Sequence, residues 1–337
     1  MPRLLTQADL RPLVEDLSNL EGAFQAIEAA VREQAAGRGG FAGQVTLPFG
    51  EEGAFTVYST ATAPGASVRI FPAVGGLAAP DMHLMVLLDY ATGQIRALLA
   101  GDDLNVLRTS VPAGVGAKYL APENARVLCI LGSGEQARSH VCTFRHALPT
   151  LERVRVWSPT AANRERFAAE WTTRLGLPVE AVATAQAAVE GADVITATGN
   201  TRGRPALEAN WVRPGALLVT MTRAAPAALL ERARLFFPSR QRPVALTPPP
   251  GGPRPGSAPA GGPGGPPGGA PERRPLDAYP HEQLADVMAG TIPARERPDQ
   301  TVVYELAAMY GWDVPIMQWA LDWAIRRGVG TEIKLST

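Results

Sequence analysis

Residues 126–140 read RVLCILGSGEQARSH and carry the strongest structural signal in the chain. The apolar run RVLCILG has the length of a short buried strand, and it leads into a glycine-rich turn and then a helical pattern. The turn matches the G-x-G-x-x-A form of a dinucleotide fingerprint at Gly132, Ser133, Gly134, Glu135, Gln136 and Ala137. The stretch therefore predicts a strand–turn–helix unit that binds a dinucleotide cofactor.

Each small residue of this turn has a physical reason to be there. Gly132 permits the tight turn, Gly134 lets the backbone approach a pyrophosphate, and Ala137 allows the helix to pack closely on the strand. The first turn of the helix then presents free N–H groups and the positive end of its dipole to the phosphates.

Strands and helices alternate after this unit. The apolar segments VRVWS, VEAVAT, DVITATG, ALLVTMT and LFFPS read as strands, with helical patterns between them. Alternation of this kind is typical of a parallel, doubly wound sheet, so residues 119–309 are predicted to form a Rossmann-type α/β domain. Thr198 ends one of these strands at the carboxyl edge, where a cofactor crevice is expected.

The second strand bears on the choice of cofactor. NAD sites usually carry an acidic residue after this strand, about 20 residues beyond the glycine motif. Here the strand continues as VRVWSPTAANR, which supplies Ser158, Thr160 and Arg164 but no carboxylate. Because a carboxylate would repel a 2′-phosphate, its absence favours NADP(H), with NAD(H) as the alternative.

A different pattern precedes residue 119. Residues 18–37 are predicted to form an amphipathic helix, with Ser18 and Glu21 as a capping box. Residues 43–100 alternate or run apolar between turn signals, and DYATGQ indicates a hairpin within a mostly antiparallel sheet. The apolar face of the first helix contains Leu20, Phe24, Ile27 and Val31.

The two ends of the chain are predicted to form one domain. A long helix is expected over residues 315–327, with Asp313 near its N-cap and Gly328 past its end. Its apolar face, with Ile316, Trp319, Ala320 and Trp323, should pack on the N-terminal part. Residues 1–118 and 310–337 would then form an α+β domain for substrate binding and dimerisation.

Residues 248–271 differ in composition from the rest of the chain. They contain 10 Pro and 9 Gly in 24 positions. Such a segment buries too little apolar surface to offset its ordering entropy, so it is predicted to be a disordered insertion.

Composition excludes several functional classes. The 32 basic residues balance 32 acidic ones, which argues against a nucleic-acid-binding surface. The two cysteines, Cys129 and Cys142, rule out a disulfide scaffold, and no uncharged apolar run reaches the roughly 18 residues of a membrane span. No spacing of His, Cys, Asp and Glu is typical of a metal site. We therefore expect a cytoplasmic protein that binds neither nucleic acid nor membrane.

Four segments give the chain a family resemblance. They are LLDYATGQIRALLAGDDLNVLRTSVPAGVGAKYLA, CILGSGEQA, AVEGADVITATGN and GWDVPIMQWALDWAIRRGVGTEI. An Arg-Thr pair after a TG-containing hairpin, followed by the glycine motif, resembles the ornithine cyclodeaminase/mu-crystallin family. The resemblance implies a Rossmann domain for NAD(H) or NADP(H), a homodimer, and hydride transfer at the carbon that bears an amine or imine.

The resemblance also implies roles for individual residues. Arg108 lies in the family's RT motif and is expected to bind a substrate carboxylate, for which a guanidinium fork is suited. Thr109 is its neighbour and is expected to face the cofactor. Asp313 matches a family aspartate near the final helix, where it either caps the helix or faces cofactor or substrate.

Three polar groups of the family pattern are missing. The family lysine before the strand SVRIFP is replaced by Ala66 and Ser67, so that Arg69 is the nearest cation. The family aspartate after ALLVTMT is also absent, because residues 220–226 read TMTRAAP. An earlier family arginine, expected near Gln44, is missing as well.

These losses favour one reaction over another. Cyclodeamination needs acid–base groups worth about 10²–10⁴ in rate, whereas hydride transfer needs mainly positioning and a nicotinamide. We therefore expect an imine reductase or amino acid dehydrogenase acting on a carboxylate-bearing small molecule. His83 could face the substrate, whereas His140 and His146, in or after the helix that follows the glycine turn, are expected on the surface. A cyclodeaminase-type lyase and a non-catalytic nicotinamide-binding protein of mu-crystallin type stay open as alternatives.

Overall fold

The computed structural model describes residues 1–49, 53–74, 77–78, 83–198, 207–221, 225–239, 276–306 and 311–335. Its strands are β1 Arg3–Leu5, β2 Gly39–Phe49, β3 Gly53–Thr62, β4 Gly65–Val74, β5 Leu77–Ala78, β6 Leu84–Asp89, β7 Ile95–Ala100, β8 Val127–Leu131, β9 Arg153–Trp157, β10 Val179–Ala181, β11 Val194–Ala197, β12 Leu217–Thr220, β13 Arg234–Phe237, β14 His281–Gln283, β15 Val302–Glu305 and β16 Thr331–Glu332. Its α-helices are α1 Gln7–Glu15, α2 Leu20–Ala35, α3 Asp102–Leu120, α4 Glu135–Ala147, α5 Ala161–Leu175, α6 Ala185–Val189, α7 Ala227–Leu230, α8 Leu284–Met288 and α9 Asp313–Arg327. The proline- and glycine-rich stretch 248–271 lies outside the described residues.

The first sheet has the strand order β16-β1-β7-β6-β4-β3-β2, with β5 paired to β4. The pairs β2–β3, β3–β4, β4–β6 and β6–β7 are antiparallel, as predicted, and the DYATGQ stretch forms the turn between β6 and β7. Near the N-terminus β1 pairs in parallel with β7, and near the C-terminus β16 pairs with β1. Both ends of the chain therefore contribute to one sheet.

The second sheet is parallel throughout and has the order β10-β9-β8-β11-β12-β15-β13-β14. The strand order reverses at β8, between β9 and β11, which confirms the doubly wound prediction. Helices α3, α4 and α5 cover one face, and α6 and α7 cover the other. Because both faces are covered, strands such as β8 and β11 are nearly continuous runs of apolar residues.

Helix α9 packs back on the N-terminal helices and sheet, as the sequence predicts. Ile316, Trp319, Ala320 and Trp323 are buried in the core that α9 shares with α2 and β4. The helix ends at Gly328, which adopts a left-handed φ of 67°. None of the helices in the described ranges combines the length and apolar character needed to cross a bilayer.

The predicted capping box of α2 is wrong. A short 3-10 turn over Leu17–Asn19 precedes the helix, and the Asp16 carboxylate accepts the Ser18 N–H instead. Asn19 is the N-cap of α2 and makes no side-chain cap bond, so Ser18 is not at the cap and Glu21 is the second residue of the helix. A complete box occurs at α1, where Thr6 and Asp9 bond each other's backbone N–H.

Helix α3 lies close to the second sheet and to α2 because two of its residues are glycines. A methyl group added to Gly116 would lie 2.1 Å from a ring carbon of Tyr304 on β15, and one on Gly114 would lie 2.7 Å from the Phe24 ring. Tyr304 and Phe24 are each about 1% exposed, so neither ring has room to move away. The close approach of α3 to the sheet therefore requires glycine at Gly116.

Gly116→Ala should lower the free energy of unfolding by about 3 kcal/mol, since overpacking a filled core forces neighbours out of their rotamers. Thermal and urea unfolding measure the loss. Gly134→Ala is the matched control, because Gly134 has an ordinary φ of −86° and its added methyl meets no described heavy atom within 4 Å. Equal stability of the two variants would contradict the packing of α3.

Candidate functional site

The glycine turn after β8 forms a cradle at the start of α4. Gly132 has a φ of 132°, which favours glycine, and its N–H donates to the Trp157 carbonyl at 2.8 Å. Gly134 is the N-cap of α4, and the space beside it is open among the described residues. Ala137 is fully buried against the core. The first turn of α4, which contains Glu135 and Gln136, therefore faces space that a phosphate group can enter.

Polar groups gather where β8, β9 and β11 end. Ser133 Oγ donates to Ser158 Oγ at 2.9 Å, and Ser158 Oγ donates to the Thr160 carbonyl at 3.3 Å. Arg164 Nη1 reaches back from α5 to the Ser158 carbonyl at 3.0 Å. Thr198 joins the ends of β11 and β8, because its N–H donates to the Leu131 carbonyl at 3.0 Å. All the cofactor-side residues proposed from the β8, β9 and β11 segments thus lie at one edge of the sheet.

Helix α3 carries a second polar group of residues on one face. Asp102, Asn105 and Arg108 follow each other at intervals of three, so they project from neighbouring positions of the helix. Arg108 Nε donates to Asn105 Oδ1 at 2.9 Å. The sequence prediction included only Arg108 from this face, although the three-residue spacing of polar groups in a largely buried helix was a usable signal.

Asp313 joins this face to the first sheet and to α9. Its carboxylate accepts Arg69 Nε at 3.1 Å and lies 3.4 Å from Arg108 Nε. Arg69 also donates to Asn105 at 3.3 Å, and its guanidinium carbon lies 4.2 Å above the Tyr58 ring. We call Arg69, Asn105, Arg108 and Asp313 the arginine cluster.

Burial divides the roles within the arginine cluster. The Asp313 side chain is 1% exposed and that of Arg69 3%, whereas Arg108 is 17% exposed. Arg69 and Asp313 therefore form the buried base of the cluster, and Arg108 is its outward cation. The prediction of Asp313 as an N-cap is wrong, because Trp312 holds the cap position and the carboxylate points to the two arginines.

His83 lies beside the arginine cluster. Its Nδ1 is in ion-pair contact with Oδ1 of Asp102, and its ring stacks on Phe71 with centroids 4.4 Å apart. Burial lowers the pKa of His83, the Asp102 carboxylate opposes this, and the charges of Arg69 and Arg108 lower it further. The charge of Arg108 therefore acts on His83, as expected if the two side chains border one substrate pocket.

The two halves of the site are linked through α3. Two residues after Arg108, Ser110 shares a hydrogen bond with Ser139, which lies on the second turn of α4. Thr109 instead bonds its own helix, since its hydroxyl donates to the Asn105 carbonyl at 3.1 Å. Sequence reasoning named Thr109 as the residue of α3 next to the cofactor and missed Ser110 and Ser139.

One prediction about α4 is wrong. His140, predicted to be on the surface, is fully buried, and its Nδ1 pairs with the Gln136 carbonyl at 2.6 Å. Burial lowers the pKa of His140 to about 4, so the ring is neutral near pH 7. Its position four residues before Phe144, on the face that packs into the core, explains the burial.

A model of the ornithine cyclodeaminase/mu-crystallin family matches residues 6–236, which is more than half of the chain. The chain belongs to the ornithine cyclodeaminase/mu-crystallin family. The resemblance carried by the TG hairpin, the Arg-Thr pair and the glycine motif is thereby confirmed.

Two curated relatives illustrate the range within the family. Ketimine reductase mu-crystallin of Rattus norvegicus is 33% identical over 171 residues, which cover 49% of this chain and 53% of that protein. The chain therefore aligns with about half the length of that relative. Delta(1)-pyrroline-2-carboxylate reductase of Bacillus cereus is 24% identical over 258 residues, 74% of each chain.

Solved structures share the fold along almost the whole chain. Delta(1)-pyrroline-2-carboxylate reductase of Thermococcus litoralis, in complex with NADH and L-proline, has a TM-score of 0.76 at 19% identity and covers 98% of this chain and 100% of its own. An archaeal alanine dehydrogenase dimer with bound NAD has a TM-score of 0.76 at 20% identity and covers 99% of each chain. Because the identities are 19% and 20%, these two structures show that the chain shares their fold.

Asp313→Asn should lower the free energy of unfolding by about 3–5 kcal/mol, because it leaves two guanidiniums next to each other without their shared carboxylate. Chemical denaturation measures the change. Asp299→Asn is the control, since Asp299 pairs with Arg297 where both side chains are nearly 70% exposed, and such pairs contribute less than about 1 kcal/mol. A loss no larger than that of the control would show that the arginine cluster does not depend on Asp313.

Proposed function

We propose that this chain is an NAD(P)H-dependent oxidoreductase that transfers a hydride at the imine or amine carbon of a carboxylate-bearing, amino-acid-like substrate. The observation that carries the proposal is the path along α3, which holds Arg108 in the arginine cluster and bonds through Ser110 to the helix that begins at the glycine turn. The relatives that reduce ketimines and pyrroline-2-carboxylate support the same bond type.

The glycine turn and the polar edge of the second sheet would hold the cofactor. The α4 N-terminus, with Ser133, Gly134, Glu135 and Gln136, has the open space and free N–H groups that suit a pyrophosphate. Gln136 supports this, because its buried Oε1 accepts no hydrogen bond from any described residue. A nicotinamide cofactor bound here supplies or accepts the hydride. We place Thr198 and Thr109 nearest to the part of the cofactor that extends from the glycine turn toward the arginine cluster.

We further propose that NADP(H) is preferred over NAD(H). Ser158, Thr160 and Arg164 offer hydroxyls and a guanidinium after β9, where an acidic residue would recognise the ribose 2′-hydroxyl of NAD. Arg164 lies within reach of this position because it already bonds the Ser158 carbonyl at 3.0 Å. A guanidinium is well suited to a phosphate.

The arginine cluster would bind the substrate carboxylate through Arg108. Arg108 contacts Asp313 and Asn105 through Nε, which sets the direction of its guanidinium plane. Arg69 is nearly fully buried behind Asp313, so we assign it to holding that carboxylate and not to direct substrate contact. Arg108 is the more exposed of the two guanidiniums, at 17% against 3% for Arg69, so it is the one that a substrate carboxylate can reach.

We place these functions on two units of the chain. Residues 1–118 with 310–337 would bind substrate and form a homodimer, as the archaeal alanine dehydrogenase is described as a dimer. Residues 119–309 would bind the cofactor. A cyclodeaminase-type lyase is disfavoured, because residues 220–226 read TMTRAAP. This segment contains no carboxylate that could act as a general acid or base in the release of ammonia.

The wild-type protein should oxidise NADPH in the presence of cyclic imines that carry a carboxylate on the imine carbon. Arg108→Ala should lower kcat/KM for the carboxylated imine by about 10²-fold, since charge-assisted hydrogen bonds contribute about 1.5–3 kcal/mol. The same variant should change kcat/KM by less than about threefold for the matching imine without the carboxylate, which therefore serves as the control. Absorbance of NADPH at the nicotinamide band measures both.

Two results would oppose this assignment. Absence of NADPH oxidation across a panel of five- and six-membered cyclic imines and of 2-oxo acids with amines would leave a non-catalytic nicotinamide-binding protein. An equal loss for carboxylated and uncarboxylated imines in Arg108→Ala would show that Arg108 acts elsewhere than at the carboxylate.

Arg164→Ala should raise the Kd for NADPH about tenfold and leave the Kd for NADH nearly unchanged, because only NADPH carries the 2′-phosphate. Fluorescence titration of the reduced cofactors gives both constants. Arg153→Ala is the matched control, since Arg153 is exposed at the opposite, amino-terminal end of β9. A parallel loss of NADPH and NADH affinity would contradict a 2′-phosphate contact.

A further inference from the structure

Buried His83 and partly exposed Asp102 form a pair for which the cofactor and carboxylate sites give no role. The pair lies where the end of one element meets the start of another, since His83 precedes β6 and Asp102 is the first residue of α3. The Gly101 N–H donates to the His83 carbonyl at 2.7 Å, which holds the two residues side by side. The contact between His83 Nδ1 and Asp102 Oδ1 is therefore a defined feature of the backbone arrangement.

The geometry favours one tautomer of the imidazole. Asp102 lies at the N-terminus of α3, where the helix dipole stabilises a carboxylate. An ionised carboxylate at Nδ1 accepts the Nδ1 proton, so the neutral ring presents an unprotonated Nε2. Both ring nitrogens are buried; the ion-pair contact with Asp102 is at Nδ1, and Nε2 has no hydrogen-bond or ion-pair partner in the described part of the chain. A buried nitrogen of this kind needs a partner, and a bound substrate can supply one.

The surroundings place that nitrogen beside the carboxylate site. The charged groups that act on His83 are Asp102 and Arg108 on α3 and Arg69 on β4, and both arginines contact Asp313 on α9. Phe71 covers one face of the ring. A substrate whose carboxylate is bound by Arg108 therefore has its adjacent carbon and nitrogen in the neighbourhood of His83.

We propose that His83 is the proton donor to the substrate nitrogen and that Asp102 is a positioning residue that holds its tautomer; this inference rests on the proposed function. In the reductive direction the C=N carbon receives a hydride from the reduced nicotinamide, and the nitrogen receives one proton from Nε2 of the imidazolium. The products are the amine, the oxidised nicotinamide and neutral His83. In the oxidative direction neutral Nε2 accepts the proton from the amine.

The proposal predicts opposite pH dependences for the two directions. The reductive kcat/KM depends on the imidazolium, so it should fall as pH rises through the pKa of His83. The oxidative kcat/KM depends on the neutral ring, so it should rise through the same pKa. Because burial and the two arginines lower the pKa of His83, both transitions should lie below about 6.5, the usual value for histidine.

The test measures both pH profiles for the wild type, His83→Gln, Asp102→Asn and the control His146→Gln. His146 on α4 pairs with Glu21 on α2, and neither residue belongs to the arginine cluster or to the pair of His83 and Asp102. His83→Gln should lower kcat/KM by about 10²–10³-fold and abolish both transitions, while KM for the cofactor stays the same. His146→Gln should keep the wild-type profiles. Unchanged transitions in His83→Gln would overturn the proposal.

A second measurement does not depend on turnover or on the stability of His83→Gln. Proton–nitrogen NMR of the wild-type holoenzyme should show His83 protonated at Nδ1 near pH 7, and Asp102→Asn should lower the pKa of His83, because the carboxylate that raises it is gone. If His83→Gln does not fold, the pKa of His83 in the wild type and in Asp102→Asn tests the proposal in its place. A neutral ring protonated at Nε2, or no change of the pKa of His83 in Asp102→Asn, would overturn the proposal.

The outcomes separate this inference from the proposed function. If the wild type fails to oxidise NADPH with any imine, the proposed function fails and the proton-transfer role fails with it. If the wild type is active and Arg108→Ala behaves as expected but His83→Gln retains its pH transitions, only the role of His83 is wrong. A purely structural pair would lower stability in both variants without moving either transition.

Discussion

The ion pairing of Asp313 with Arg69 and Arg108 is the interaction on which the arrangement of the site depends. It joins three elements that are far apart in the chain: β4 of the first sheet, the start of α3, and the first residue of α9. A buried carboxylate shared by two guanidiniums is stable only when its geometry and its additional hydrogen bonds are good, and Asn105 supplies those bonds to both arginines. The return of α9 to the N-terminal sheet therefore serves the site as well as the core.

Helix α3 transmits that arrangement to the cofactor side. Its polar face presents Asp102, Asn105 and Arg108 to the first sheet, and Ser110 bonds Ser139 of α4. Gly116 lets the same helix rest on Tyr304 of the second sheet. The helix thus fixes the distance between the glycine turn and the arginine cluster, and the proposed hydride transfer would depend on that distance.

The parts of this site that a sequence can reveal are the local ones. The glycine turn, its flanking strand and helix, and the buried face of α2 follow from spacing within about 20 residues, and all were predicted. The arginine cluster was not, because Arg69 and Asp313 are 244 positions apart and only tertiary packing brings them together. His140 and the cap of α2 show the converse, since both wrong predictions came from judging a polar residue without its helical face or its preceding turn.

Isotope labelling of the transferred hydride tests the proposed reaction most directly. The wild-type protein is supplied with NADPH that carries deuterium at both C4 positions and with a cyclic imine that carries a carboxylate on the imine carbon, and the product is analysed by mass spectrometry and proton NMR. We expect a cyclic amino acid with one deuterium at the former imine carbon, transferred from one of the two C4 positions. Product without deuterium, or release of ammonia from a linear diamino acid in place of imine reduction, would contradict the proposed reaction.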